Sequence, residues 1–420
     1  MYPELLTVVK SYSRKIFWAD LFAGLTVAMV ALPLSLAIAI ASGAPPANGL
    51  ITAIIGGGVI SALGGSRVQI GGPTGAFIVV VYSVIARYGL DGLITATFMA
   101  GLILLAAGAL RAGNLIRLIP EAVVNGFTIG IAAIIATSQA SDFLGLKVDN
   151  LPADFLGKLP VLWAARASLQ MESFLVATTT ILLIVLFRRL APRWPGLILA
   201  VALTSAAVSL FHLPVTRIVD RFGSLPGHMP GPHLPDLSLS RLILLFPSSV
   251  IIAFLAGVES LLSAMVADRM AGTRHRPNAE ILAQGSANIA SALFGGLPAT
   301  GAIARTATNI RAGGQTPVAG IIHALALLVF VYVAASVAGY LAMPALAGLL
   351  ILTAWNMAEP ARWPQYLRAR PSDRLLLGLP FFLTLFVDLT LAIGVGVALG
   401  LALRLRRRNV PPAEWDMPDR

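Results

Sequence analysis

Apolar residues fill nearly the whole chain in runs of helix length, and Gly, Pro and charged residues separate one run from the next. A run of about 20 apolar residues is long enough to cross a bilayer as a helix. The pattern predicts fourteen such segments in two sets of seven. They lie near residues 21–42, 49–64, 73–87, 92–110, 121–140, 172–190, 195–211, 245–267, 279–295, 301–311, 318–341, 344–358, 374–388 and 389–405.

The third and tenth segments are short, and each carries the same small motif after a helix-breaking proline. Thr74-Gly75-Ala76 follows Pro73, and Thr300-Gly301-Ala302 follows Pro298 by one residue. Gly- or Pro-interrupted spans at corresponding places in two halves indicate a transporter binding site. Because each half has an odd number of spans, the halves have opposite orientations. We therefore predict an all-α integral membrane protein built from two inverted seven-span repeats, with half-helices as spans 3 and 10.

The composition places the chain in a membrane. Hydrophobic residues make up 57% of it and charged residues 12%, and the mean hydropathy is +0.84. The net charge of +11 suits Arg-rich cytoplasmic loops better than nucleic acid, so no nucleic acid partner is expected. If successive spans cross the membrane in alternating directions, most of the Lys and Arg residues lie on the same membrane side as the N-terminus. We expect a multi-pass protein of a bacterial-type inner membrane, with both termini cytoplasmic.

These boundaries give a simple domain plan. Residues 1–20 form a cytoplasmic N-terminus, 21–211 the first repeat and 245–408 the second repeat. Residues 212–244, which are rich in Pro and His, form an extracytoplasmic loop. Residues 409–420 form a short cytoplasmic tail.

The reactive residue types exclude several functions. The chain has no cysteine, and its five histidines do not have the spacing of metal ligands. No nucleotide-binding loop and no nucleophile–base pair is evident. We therefore expect no metal, no cofactor and no enzymatic activity.

The two interrupted spans have the chemistry of an anion site. If helices begin at Thr74 and Thr300, two helix N-termini face each other and offer free N–H groups and positive dipole ends. The threonine hydroxyls then either donate to a ligand or cap their helices. Arg305 lies one turn further along, and a guanidinium at membrane depth is functional by default.

Glu259 is the acidic residue of the span near 245–267, and the 226-residue offset between the two motifs relates it to Pro33. Ser263 follows four residues later, on the same helix face. A carboxylate in this position can couple anion uptake to protons, and with Ser263 and half-helix carbonyls it can alternatively hold sodium. The structural alternative for Arg305 is a fixed ion pair with Glu259.

Several motifs resemble the SulP family (sulfate permease, solute carrier 26 type) of anion transporters. The resemblance rests on Gly64–Arg67 with Gly71–Ala76, on Gly257–Ser263, on Gln284–Ile289 and on Gly295–Arg311. It implies a core of spans 1–4 and 8–11, a gate of spans 5–7 and 12–14, and elevator-type alternating access.

The resemblance also implies a binding site between half-helices 3 and 10. Substrate-binding residues would be Thr74, Gly75, Ala76, Gly301, Ala302, Ile303 and Arg305, coupling residues Glu259 and Ser263, and pocket-lining residues Leu34, Ser35 and Ile38. Most family members carry a cytoplasmic STAS domain after the last span, and no such domain follows Arg408 here. Either this member lacks it naturally or the chain was shortened, and a gate-to-gate homodimer stays open.

These features predict a secondary active transporter of small oxyanions. Sulfate ranks first, C4-dicarboxylates second and bicarbonate third, with protons as the coupling ion and sodium as the alternative. The alternatives are an anion channel or motor-like protein of the same fold, a sodium-coupled bicarbonate transporter, and a nucleobase carrier. Arg305 argues against the nucleobase carrier.

Overall fold

The computed structural model describes residues 2–9, 12–113, 121–148, 151–152, 154–191, 194–387 and 389–406, and they are predominantly helical. In chain order the helices are α1 (Glu4–Val8), α2 (Arg14–Ala41), α3 (Pro46–Leu63, with a π-helical turn at Thr52–Gly56), α4 (Ile78–Ala109), α5 (Glu121–Leu144), α6 (Phe155–Ala164), α7 (Met171–Leu190), α8 (Gly196–Leu210), α9 (Ile218–Phe222), α10 (Leu239–Ala271), α11 (Pro277–Leu293), α12 (Ile303–Arg311), α13 (Val318–Ala338), α14 (Met343–Ala358), α15 (Trp363–Arg368), α16 (Pro371–Phe386) and α17 (Leu389–Arg406).

The predicted apolar segments coincide with helices, but their boundaries differ. Among the described residues, seven helical stretches are long and apolar enough to cross a membrane. Predicted spans 3 and 4 form one continuous stretch, Gly75–Ala109, that is broken at Gly89. Gly89 has a φ of +72°, a conformation that glycine adopts without the steric cost of a Cβ, so the chain turns there with little loop.

The predicted loops also contain helix. The first span begins at Arg14, within the segment expected to be a polar N-terminus. Helix α6 lies between spans 5 and 6, and α10 begins at Leu239, inside the predicted loop 212–244. The tail 409–420 lies outside the described residues.

Helices pack in two groups that meet along α2. In one group α4 packs on α10 and α11, while α13 packs on α2 and α3. In the other, α5 packs on α14 and α16, and α7 packs on α8 and α14. Helix α2 contacts α8 and α14 of the second group. The first group holds both Thr-Gly-Ala motifs.

At the centre of the first group, two short strands pair with each other. Strand β1 (Gly71–Gly72) runs antiparallel to β2 (Thr300–Gly301), and Gly71 lies opposite Gly301. The amide of Ala302 extends the ladder by donating to the Ile70 carbonyl at 2.8 Å. Irregular backbone at membrane depth needs such partners because the hydrocarbon offers none. The ladder therefore fixes the two motifs against each other.

Candidate functional site

The two motifs start helical turns, although not both where the sequence suggested. A 3-10 turn, Gly75–Phe77, leads into α4 with Thr74 before it, as expected for the first motif. In the second motif, α12 begins only at Ile303, after Ala302. The prediction of a helix start at Thr300 is wrong, because Thr300 and Gly301 are occupied in the β ladder. Both first turns nevertheless leave N–H groups without an intrahelical acceptor.

The two threonines have different partners. The Thr74 hydroxyl donates to Glu259 Oε2 at 2.8 Å and does not cap its own turn. The Thr300 hydroxyl donates to the Ala256 carbonyl at 2.8 Å, so it anchors β2 to α10. Thr74 and Glu259 are both partly exposed, while Thr300 is fully buried. Of the two threonines, Thr74 is therefore the one that is partly exposed and bonded to a charged side chain of the predicted site.

The Arg305 side chain is fully buried beside β1. Its Nη2 donates to Ser35 Oγ on α2 at 2.9 Å, while Nε and Nη1 have no hydrogen-bond partner. A Cβ placed on Gly72 would overlap Arg305 Nη1 and lie 3.3 Å from its Cζ. Gly72 has a φ of +147°, so glycine is required there both for its backbone and for the room that the guanidinium occupies.

In this structure the bonds of Arg305 and Glu259 go to different partners. The guanidinium bonds Ser35, and Glu259 accepts from Thr74. Ser263 is fully buried and its hydroxyl lies 3.4 Å from Thr306 Oγ1 on α12. Thr306 in turn accepts from the Ile70 amide, so Ser263 helps to hold β1 against α12.

The three predicted pocket residues of α2 differ in what they contact. Ser35 contacts Arg305 directly. Leu34 and Ile38 lie in the large apolar cluster that also contains Ala76 and Phe77. Both side chains are apolar, so neither offers a hydrogen bond to a ligand.

A buried polar network, to which the sequence analysis assigned no role, holds the ladder in place. Gln69 Nε2 donates to Ser260 Oγ at 3.0 Å, and Ser260 Oγ donates to Glu280 Oε1 at 2.9 Å. Glu280 Oε2 also accepts from the Gly65 amide at 2.9 Å. Gln69 fills the space that a Cβ on Gly301 would need. Gln69 therefore positions the second motif.

Helix α11 binds Ala299, the residue before β2, through a pair of hydrogen bonds. Asn288 Nδ2 donates to the Ala299 carbonyl at 2.8 Å, and Asn288 Oδ1 accepts from the Ala299 amide at 3.0 Å. Glu280, Gln284 and Asn288 repeat every four residues and are fully buried. This i, i+4, i+8 polar stripe in an apolar span is the sequence signal that could have revealed the network.

Two side chains from the other helix group close on the first motif. Met357 Sδ on α14 lies 3.1 Å, and Ile135 Cδ1 on α5 lies 3.8 Å, from the position of a Cβ on Gly75. The sequence offered no signal for either residue, since both read as ordinary apolar helix positions. The first helical turn is thus covered by the opposing group.

Outside the helices of the predicted spans, one charged group has a strongly altered environment. Lys158 on α6 is buried, and burial lowers its pKa to about 8. Its Nζ lies 5.5 Å from the centre of the Tyr82 ring on α4. The Tyr82 hydroxyl donates to the Leu151 carbonyl at 2.7 Å, so α4 contacts the segment between α5 and α6.

In the part of the chain that the structure describes, no three His, Asp or Glu side chains are grouped to hold a metal ion. The donors beside the ladder that lack an acceptor are N–H groups of the first helical turns and Nε and Nη1 of the Arg305 guanidinium. Such a set suits a ligand that carries acceptor oxygens.

Comparison with known proteins decides the family. The model of the sulfate permease family matches residues 17–378. The chain belongs to the sulfate permease family. Members of this family are transporters. The protein is therefore a multi-pass membrane transporter and not an enzyme.

Individual relatives agree with this assignment. The putative sulfate transporter YvdB of Bacillus subtilis is 40% identical over 383 residues, which are 91% of this chain and 72% of that protein. The bicarbonate transporter BicA of Picosynechococcus is 31% identical and matches 89% of this chain and 67% of its own length.

Solved structures show the same fold. The transmembrane domain of a cyanobacterial bicarbonate transporter BicA has a TM-score of 0.81 and 31% identity, and the match covers 91% of this permease-family chain and 99% of that one. Murine SLC26A9 in the inward-facing state has a TM-score of 0.87 at 18% identity and covers 97% of this chain and 71% of its own.

Proposed function

We propose that the protein is a secondary active transporter of small oxyanions and that the anion binds between the first turns of α4 and α12, beside Arg305. The observation that carries the proposal is the fully buried guanidinium, which lies against Gly72 with Nε and Nη1 unbonded. An unpaired buried cation is costly. An anion that reaches Arg305 removes this cost.

The site would bind oxygen atoms chiefly through the backbone. The main chain would approach the ligand from two sides, at Gly75 and Ala76 and at Gly301, Ala302 and Ile303. The hydroxyl of Thr74 would add a donor. The Ala302 amide already donates to Ile70, so this residue would act through its position rather than its N–H. Arg305 adds the charge and the planar fork that fits oxyanions.

Glu259 would couple transport to protons. It accepts from Thr74 at the edge of the site, where an arriving anion repels a carboxylate unless the carboxylate takes up a proton. Ser263 would hold the surrounding backbone rather than the coupling ion, because its hydroxyl faces Thr306.

Movement of the first helix group against the second would expose the site to either side of the membrane. Met357 and Ile135, which cover Gly75, belong to the second group, so such a shift would uncover the first helical turn. The proposal includes fourteen crossings in two inverted repeats, both termini in the cytoplasm of a bacterial-type inner membrane, and an elevator-type mechanism. The antiparallel ladder supports the inverted relation.

Sulfate is the leading substrate, and C4-dicarboxylates and bicarbonate follow. The 40% identical relative is named as a putative sulfate transporter. Bicarbonate, with sodium as the coupling ion, is the second candidate because the BicA transmembrane domain matches nearly over its full length.

The test is calorimetric titration of sulfate into the purified protein and into Arg305→Ala. Wild type should bind sulfate and Arg305→Ala should bind at least tenfold more weakly, while Arg166→Ala, which removes an exposed arginine, should match wild type. Equal binding by Arg305→Ala would make Arg305 a structural residue and would remove the basis of the proposal.

A further inference from the structure

A second nitrogen-bearing side chain lies buried near Arg305. His323, on α13, is fully buried, and neither ring nitrogen makes a hydrogen bond of normal geometry. One turn earlier on the same helix, Ser61 of α3 lies against Gly320. No part of the proposed mechanism so far uses it.

Glycines of α3 and β1 bring the two side chains to one place. His323 Cε1 lies 3.8 Å from the position of a Cβ on Gly57, and Gly57 packs against the Gly71 carbonyl. Arg305 occupies the space beside Gly72, the next residue of the strand. Arg305 therefore lies against β1, and His323 lies close to it on the other side of Gly57.

Five of the buried polar atoms that lack a hydrogen-bond partner belong to Arg305, His323 and Ser61. Among the described residues, Arg305 Nε and Nη1, His323 Nδ1 and Nε2, and Ser61 Oγ are buried without a hydrogen-bond partner. Ser61 lies against Gly320, one turn from His323. Buried polar atoms are nearly always satisfied in folded proteins, so such a group indicates a place where a ligand or a proton completes the bonding.

The charged and titratable groups around His323 are few. From α12 the charge of Arg305 faces it, and Arg311 lies at the far, exposed end of that helix. Helix α3 contributes no titratable residue. From α2, Asp20 is bonded to the amides of Gln315 and Thr316, about 10 Å away along α13.

Charge balance then depends on the valence of the anion. In the empty site the positive Arg305 and the negative Glu259 sum to zero. A monovalent anion keeps the sum at zero if Glu259 takes up one proton. A divalent anion leaves one negative charge over, and a buried uncompensated charge is unfavourable by several kcal/mol.

We propose that His323 holds the proton that balances the second charge of a divalent oxyanion such as sulfate. The inference rests on the proposed function and adds the substrate class: a dianion, whose binding takes up one proton more than the binding of a monoanion. Without the anion, a positive imidazole next to Arg305 is repelled, so proton and dianion bind together. By thermodynamic linkage each raises the affinity for the other.

The test measures protons taken up per anion bound. Sulfate and nitrate are titrated at pH 7 into the purified full chain in two buffers of different ionisation enthalpy, whose heats give the proton number. Wild type should take up about two protons with sulfate and about one with nitrate. His323→Gln, which retains a polar amide that cannot be charged, should take up about one proton with sulfate, and its sulfate affinity should fall about tenfold or more.

His233→Gln, which removes an exposed histidine of the loop before α10, is the matched control and should behave as wild type. An unchanged proton number in His323→Gln would overturn the inference, as would equal numbers for sulfate and nitrate in wild type. If His323→Gln does not fold, His323→Asn takes its place, and equal proton numbers for sulfate and nitrate in wild type overturn the inference whether or not either variant folds. If wild type binds neither anion, the proposed function itself fails.

Discussion

Gly72→Ala tests the geometry of the Arg305 site without changing a charged residue. The new Cβ would overlap Arg305 Nη1 and lie 3.5 Å from the Ala53 backbone on its other side, so the guanidinium has to move. A retreat of about 1 Å stretches the 2.9 Å bond to Ser35 beyond hydrogen-bond range. A hydrogen bond to a charged group contributes about 1.5–3 kcal/mol. We therefore expect sulfate affinity to fall roughly tenfold to a hundredfold.

The assay is calorimetric titration of sulfate, with two controls that separate the causes. Gly89→Ala introduces a side chain at another positive φ where no atom lies within 4 Å, so it reports backbone strain alone and should leave affinity unchanged. Adding Gly72→Ala to Arg305→Ala should have little further effect, since both act on one group. Wild-type affinity in a folded Gly72→Ala protein would refute the reasoning.

Three further outcomes follow from individual contacts. Glu259→Gln should reduce the stimulation of sulfate uptake by an inward proton gradient in proteoliposomes and leave sulfate exchange intact; undiminished stimulation would place coupling elsewhere. Asn288→Leu should lower the free energy of unfolding by about 2–6 kcal/mol because both polar groups of Ala299 lose their partners, whereas Ser286→Ala on the same helix should change it little, as thermal unfolding in detergent would measure. Lys158→Met should raise the melting temperature at pH 7, where the buried ammonium is charged. The gain should shrink between pH 8 and 10.5, because in this range Lys158 has lost its proton in the folded protein but still holds it in the unfolded chain. A gain independent of pH would contradict this.

The helical segments were predictable because apolar runs of membrane length leave few other structures available. The motif spacing also singled out the two segments that meet at the centre, although no strand was predicted there. Thr300 was misread as a helix start because proline and threonine are typical of both helix caps and extended turns. The partner strand, 228 residues away, decides between them, and no local pattern reports it.

The identity of the site residues was predictable in part. Arg305 and Glu259 stand out as charges in apolar spans, and the structure places both near the first motif. Their partners, Ser35 and Thr74, depend on how α2 and α10 pack, which side-chain type does not encode. Met357 and His323 gave no usable signal, because one apolar or aromatic position in a long span reads as ordinary core.

The central claim is that a small oxyanion is carried, with Arg305 in its binding site. The most direct measurement is counterflow of labelled sulfate in proteoliposomes that contain the wild-type protein or Arg305→Ala. We predict that unlabelled sulfate inside the vesicles accelerates entry of label through wild type, and that Arg305→Ala removes this entry while it remains folded. Sulfate entry that is indifferent to internal sulfate would indicate a channel, and equal counterflow in both proteins would contradict the assignment of Arg305 to the binding site.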